Sequence, residues 1–417
     1  MSGGMFCNDD LGALVMDIGS HSVKAGFAGE EHPKIYFNNV NGRVTDKETG
    51  KVTRIFRDEF MNIPNPNLEI ESCMSKGSIE NWNLFEDLIE HILTNRLDVE
   101  PEFHPILFTE QARAPPAVRE KLLEIMMEKF KIPAFYTAKN PVLACYANGR
   151  ASGIVLDAGA THTTASAVME GYVIKNAIIQ SPIGGDYNTR NALQLLKSSE
   201  EKLLLSYEID SREELKPGQQ APIFHLKKNL PEVTNSWRAY QETRLAEDWV
   251  HQIVQVSESD YRPEEAAMRP AMEYEFPNGV SVGYGVDRFR LAEPLFNTRM
   301  VDNKNSLLGV GHLITTSLHY CENEIRPQLV SSVILTGGNC NLAGFVDRIN
   351  MELQKTPPHM KFKIVNGQPG AVHQTDRRFG NWIGGSIIAS LPSFAPSWVS
   401  AKDYAESGVK IFERKCL

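Results

Sequence analysis

Two stretches of this 417-residue chain set an acidic residue, glycines and hydroxyl groups between apolar strands. The first, LVMDIGSHSVKAGFAGE (residues 14–30), offers Asp17, Gly19, Ser20 and Lys24. The second, IVLDAGATHTTASAVMEG (residues 154–171), offers Asp157, Gly159 and Thr161 in the same layout, and reads as the shorter copy. Glycines let a main chain pass close to phosphates, and turn N–H groups point at their oxygens. A carboxylate at a strand end can hold the shell of a metal such as Mg2+ through water, and Lys24 can reach a phosphate as a point charge. One such hairpin is equally compatible with an ordinary turn, which favours Asp, Ser and Thr anyway. A third signature, SSVILTGGNCNLAGFVDRINMEL, ends an apolar strand in Gly337 and Gly338 and predicts a helix within about five residues. There a backbone without side chains admits a flat ring. Two hairpins facing each other can clamp a triphosphate from both sides, so the repetition predicts two related lobes around one nucleotide.

The elements that must hold these groups are legible as periodicities. SIENWNLFEDLIEHILTNRL places Trp82, Phe85, Leu88, Ile89, Ile92 and Leu93 on one helical stripe. HPILFTE reads as a buried strand, and PPAVREKLLEIMMEKF as an amphipathic helix whose prolines sit where a missing N–H does no harm. NGRVTDKETGKVTR, within residues 38–75, predicts a small exposed hairpin module. Residues 196–237 mix charge and proline and predict a loop-rich insertion. YEFPNGVSVGYGVDRF reads as a hairpin with Asn278-Gly279 at its tip, and NWIGGSIIASLPSFAPSWVS as a buried helix whose paired glycines allow close packing. No short-period repeat suggests a solenoid.

Composition narrows the function classes. The chain is too long for one compact core and suits two lobes. No apolar run is long enough for a transmembrane helix. The start MSGGMFCNDD has neither basic flank nor apolar core, so no signal peptide is expected and a cytosolic or nuclear location is. A net charge of −9 argues against a general nucleic-acid surface. The six cysteines never form Cys-x-x-Cys, so reduced thiols are expected rather than zinc or disulfides.

In this order the three signatures resemble the superfamily of actin, sugar kinases and Hsp70, and the detailed text resembles actin. DIGSHSVKAGFAGE, HPILFTE, VLACYANGR, GIVLDAGATHT, EGYVI, RFRLAEPLF, SVILTGGN, WIGGSI and ERKCL all have actin-like counterparts. The likeness is weakest in residues 38–75 and 196–272. It implies an α/β fold of duplicated, ribonuclease H-like lobes around a nucleotide cleft. The implied subdomains are residues 1–38 with 76–147 and 376–417, the small divergent 39–75, then 148–183 with 304–375, and 184–303. It also implies ATP as cofactor, with Mg2+ or Ca2+ held by Asp17 and Asp157 through water. Gly184, Gly185 and Asp186 in SPIGGDYNTR resemble the family's ribose-side turn, and Asn339 joins Gly337 and Gly338 at the base side. His162 matches a family histidine near the attacking water, or is simply a core histidine.

The departures from actin suggest a subtype. The family's second loop carries an extra Asp-Gly-Val-type stretch, whereas this chain runs from Gly159-Ala160 directly to Thr161-His162 and has no second metal-side carboxylate there. Actin's catalytic glutamine falls at Asn140, whose amide ends about 1.5 Å short, a costly misplacement for positioning an attacking water. The DNase-binding loop and the methylated-histidine stretch have no counterpart in residues 38–75, so actin-like filaments are not expected. The shortened loop, the MSGG start, LPEVTNSW and ERKC resemble the nuclear actin-related proteins of chromatin-remodelling and histone-acetyltransferase complexes, the class called Baf53 in animals. That likeness implies a nuclear scaffold subunit rather than an enzyme, without catalytic residues of its own. It implies pairing with actin as a heterodimer, an amphipathic helix of a remodeller ATPase as partner, further chromatin-complex subunits, only indirect contact with histones or DNA, and no membrane. Tyr146, Gly171, Tyr172, Ile388, Leu391 and Ser393 map onto the groove where actin partners insert a helix. The competing reading is an ATP-hydrolysing cytoskeletal actin-like protein, or a phosphotransferase of the wider superfamily, for which no acidic base stands out.

Overall fold

In the computed structural model the strands Leu14–Ile18 and Ser22–Phe27 pair antiparallel, and Leu14–Ile18 runs parallel to Ile106–Glu110. The structure describes residues 12–46, 48–199, 203–213, 222–302, 306–357, 360–365 and 374–416. The MSGG start, Cys7 and parts of the 196–237 insertion lie outside the described residues. The first sheet continues through Ala134–Lys139 and Val399–Ser400 on one side and Ile35–Asn38 on the other. The second sheet repeats its centre. Gly153–Ala158 pairs antiparallel with Thr163–Met169 and parallel with Val333–Thr336. Near-continuous burial of these central strands explains their unbroken apolar text.

Each sheet carries its own core. Phe85, Phe108 and Phe135 anchor one, and Trp249, Leu313 and Phe345 the other. Between the sheets run two helices, Asn140–Ala147 and Gly380–Ser390. Their closeness depends on Gly384, where a Cβ would fall 1.9 Å from the Leu143 carbonyl oxygen. The Trp382 indole donates to the Val15 carbonyl at 3.0 Å and ties the second of these helices to the first sheet.

The residue 38–75 module is a three-stranded sheet, Asn41–Thr45 flanked by Val52–Ile55 and Leu68–Glu71. The Asn278-Gly279 hairpin forms between Met272–Glu275 and Ser281–Tyr284, with Gly279 at φ +84°. The stripe from Phe85 to Leu93 is buried, and its helix passes into a wider π-helical turn at His91. One expectation needs correction. After Gly337 a 3-10 turn, Gly338–Asn341, intervenes, and the helix begins only at Phe345. Gly344, at φ +80°, lies under the Val256 carbonyl, and the chain must pass that point before it can coil. Cys73, Cys145, Cys321, Cys340 and Cys416 are buried and free. Among the described residues no helix is long and apolar enough to cross a membrane.

Candidate functional site

Between the two sheets lies a cavity of about 500 Å3, lined from both lobes. Of the predicted nucleotide residues, Asp17, Gly19, Ser20, Lys24, Asp157, Gly159, Thr161, Gly185, Asp186, Gly337, Gly338 and Asn339 all face it. Gly184 stands behind the second turn instead. A Cβ there would meet the Ala160 carbonyl oxygen at 2.4 Å, so glycine is required for packing rather than for ligand access.

The two turns are equal in length. Gly19 N–H donates to the Ser22 carbonyl at 3.0 Å, and Gly159 N–H donates to the His162 carbonyl at 3.1 Å. Each closes four residues between the last paired positions, Ile18 with Val23 and Ala158 with Thr163. The second copy is therefore not the shorter of the pair; it is short only beside the family's longer loop. Among the described residues no protein acceptor takes the main-chain N–H of Ser20, His21 or Thr161. Unclaimed turn N–H groups are what an anion needs.

The carboxylates differ in surroundings. Lys24 lies opposite Asp17 in register, and its Nζ donates to Asp17 Oδ2 at 2.9 Å. Thr109 Oγ1 donates to the other carboxylate oxygen at 2.7 Å. Asp157 faces Thr164, which brings no charge. Burial pushes the Asp157 carboxyl above its ordinary range; nearby His162 and a hydrogen bond from Asn381 work against that push, and Asp17 reinforces it. Its surface still opens in part to the cavity, so water there tempers the effect.

The base-side elements close around the second turn. Gly185 N–H and Asn339 Nδ2 both donate to the Gly159 carbonyl, at 3.0 and 2.8 Å, and Asp186 N–H donates to Ala160 at 2.8 Å. Gly337, at φ +94°, would set a Cβ 2.4 Å from the Ala158 oxygen. At Gly338 a Cβ would meet nothing within 4 Å, which leaves open space beside the cavity. Free turn N–H groups, a paired lysine and this glycine shelf fit an ATP with its divalent cation. Lys24 would contact phosphate, Asp17 and Asp157 would orient metal-bound water, and the bound cation would neutralise phosphate charge. No cluster of three or more His, Cys, Asp or Glu side chains able to hold a metal by itself occurs among the described residues.

Asn140 opens the helix between the sheets, and its Oδ1 is buried at the cavity wall with no protein partner. His162 is half-buried, with Nδ1 2.8 Å from Thr161 Oγ1. Burial lowers its pKa, and the Asp157 charge opposes that shift. It is a cavity residue, not a core one.

Sequence reasoning missed the far wall. His21, in the first turn, meets Glu247 of the second lobe at 3.6 Å, with Asp186 and His251 close enough to act on these charges. Glu247 and His251 lie one turn apart on the helix Asn235–Ile253, on the side that lines the cavity, and this i,i+4 polar pair beside buried Trp249 was the available signal. Gln111 and Asn381 also line the cavity.

Of the residues expected to line a partner groove, Tyr172 is 60% and Leu391 44% exposed, and Ser393 is exposed. The Tyr146 hydroxyl would stand 2.9 Å from a Cβ on Gly171. Ile388 is a correction. It is buried, and its neighbour Ile387 is the exposed one; the helix turns Ile388 toward Leu143 and Trp382.

A matched pair of hairpins, one from each sheet, facing one cleft defines a two-lobed α/β class with duplicated centres. The family model of actin matches residues 8–417, and the chain belongs to the actin family. It is 32% identical over 449 residues to "Actin-related protein 4" of Arabidopsis thaliana, covering 99% of this chain and 100% of that protein. Proteins of the same name from Neurospora crassa and Schizosaccharomyces pombe are 30% and 27% identical, covering 99% and 100% of this chain and 97% and 100% of the relatives. None of these names denotes an enzyme.

Proposed function

We propose that this protein is a nuclear scaffold subunit of chromatin-remodelling and histone-acetyltransferase complexes that holds ATP with little or no hydrolysis. It pairs with actin as a heterodimer on an amphipathic helix of the remodeller ATPase. The observation that carries the reading is Asn140. The cleft keeps the hairpins, lysine and glycine shelf of a nucleotide site, while the amide at the wall is too short to place an attacking water as glutamine would. ATP then acts as a filling cofactor that sets the angle between lobes and adds stability through linkage. The relatives' shared name and the actin-like departures set out above support the subtype. For the partner helix, Tyr172, Leu391 and Ile387 are exposed apolar side chains of the kind that an amphipathic helix covers.

The test is to purify the chain without added nucleotide, denature it, and resolve the released nucleotide by ion exchange. ATP near one per chain, with no phosphate release in a separate assay, is the expected result. Robust turnover would favour the cytoskeletal, hydrolysing alternative. Tyr172→Ala with Leu391→Asp should abolish binding to a remodeller ATPase helix while leaving nucleotide content unchanged.

A further inference from the structure

Away from the cleft, two guanidinium groups of the second lobe gather at one aromatic ring. The Arg288 group stands 4.6 Å and the Arg269 group 5.0 Å from the centre of Phe289. Arg288 lies in the short helix Asp287–Arg290 and is only 7% exposed. Its terminal nitrogens donate to the Pro270 carbonyl at 3.1 Å and to Gln255 Oε1 at 2.7 Å, which fixes the group in place. Its Nε is buried with no protein partner. The nearest carboxylates in sequence are already used: Asp287 pairs with Arg290, and Glu265 with Arg262. Among the described residues no carboxylate forms an ion pair with Arg269 or Arg288. Burial lowers the Arg288 pKa, and the Arg269 charge lowers it further. Buried charges are ordinarily paired. Here two like charges share one ring, an arrangement that an anionic group from outside the chain would balance.

Apolar side chains left in water flank this pair. Met268 ends the short helix Pro263–Ala267 and is 85% exposed; Met272 opens the next strand and is 41% exposed. Methionine is flexible enough to cover differently shaped apolar groups. We propose that Met268, Arg269, Met272 and Arg288 form a docking surface for a short segment of a partner protein that carries an aspartate or glutamate beside an apolar residue. The carboxylate would take charge-assisted hydrogen bonds from the guanidinium groups, and the apolar neighbour would cover the methionines. The net charge of −9 disfavours a polyanion such as a nucleic acid, whereas a single carboxylate meets a local surplus of positive charge. None of the four residues lines the nucleotide cavity, so the surface is independent of the nucleotide reading.

The experiment selects random dodecapeptides displayed on phage for binding to the full chain, with counter-selection against the double variant Met268→Ser, Arg269→Gln. Peptides that distinguish the two proteins should carry an acidic residue next to an apolar one. Titrated as synthetic peptides by fluorescence anisotropy, they should lose about tenfold in affinity when that acid becomes its amide, and about tenfold when Arg269 alone becomes Gln. Arg269→Gln also relieves repulsion on Arg288, so its melting temperature should stay within about 2 °C of wild type. Failure to find any discriminating peptide, or discriminating peptides without an acidic residue, would overturn the proposal. So would complete displacement of the peptide by inorganic phosphate at constant ionic strength, which would mark a site for free oxyanions. A clear fall in melting temperature with peptide affinity intact would reduce Arg269 to a brace on Phe289 and overturn it as well.

Discussion

Asp17 and Asp157 hold the same position in two hairpins of equal turn length, yet only Asp17 has a lysine across from it. The difference splits two carboxylates that read alike in the sequence. It predicts opposite outcomes when each is neutralised.

Asp17→Asn leaves the Lys24 ammonium buried without its counter-charge. Removing one partner of a buried pair costs about 3 kcal/mol, and Lys24 is only 8% exposed. Urea unfolding of the ligand-free protein should show that loss, and the double change with Lys24→Met should recover most of it. A single Asp17→Asn variant within about 1 kcal/mol of wild type would mean the pair contributes through solvent rather than through contact.

Asp157→Asn should stabilise the ligand-free protein at neutral pH. A carboxyl raised by burial binds its proton more tightly folded than unfolded. Wild-type stability therefore falls as pH climbs from the ordinary carboxylate range, near 4, to the raised value, and stays low above it. The asparagine variant lacks that slope. Melting curves should coincide near pH 4 and separate by pH 7 with the variant higher, while its retention of ATP with Mg2+ falls. A variant that melts lower at pH 7 would show that Asp157 is held by its neighbours more strongly than burial opposes it.

His91 supplies a pH dependence remote from the cleft. Its ring stacks on Phe56 of the small module at 4.9 Å, and Asn95 donates to Nδ1 at 3.2 Å. Burial, with the positive Arg96 and Arg57 nearby, holds it down at about 4. The folded state refuses a proton that the unfolded state takes up below about 6.5, so stability is full above that value and is lost as pH falls toward 4. The loss should reach about 1–3 kcal/mol, less than the whole shift implies, because a charged ring at a seam can turn toward water. Urea titrations of His91→Leu at pH 7 and pH 5 should show a flatter acid limb than wild type. Equal limbs would assign the acid sensitivity elsewhere.

What the sequence made legible were features set by local spacing. Asp17 and Asp157 are each two residues before a turn glycine, and the strands around them alternate or run apolar because both sheets are buried. The helical stripe from Phe85 to Leu93 is set by local spacing too. Features set by packing between distant segments were not legible. His21 and Glu247 are separated by more than half of the chain, and Thr234 meets Leu68 across 166 positions. Ile388 and Ile387 are adjacent and chemically identical, so only the face packed on Leu143 decides which is exposed. The late start of the helix at Phe345 follows from Gly344 passing under Val256, a contact no periodicity encodes.

Asn140 bears most directly on whether the cleft turns over ATP. Its amide oxygen is buried and unpartnered at the cavity wall, an acceptor that a water could occupy. His162 lies in the same cavity, where burial lowers its pKa against the pull of the Asp157 charge. Asn140→Gln adds one methylene and carries the same amide about 1.5 Å further. If reach is what limits hydrolysis, single-turnover phosphate release should rise about tenfold or more, with nucleotide affinity unchanged. Adding His162→Ala should then remove the gain. An Asn140→Gln variant as inactive as wild type would shift the cause to the second turn, where Ala160 stands without a carboxylate. The next variant would then be Ala160→Asp, read by the same assay.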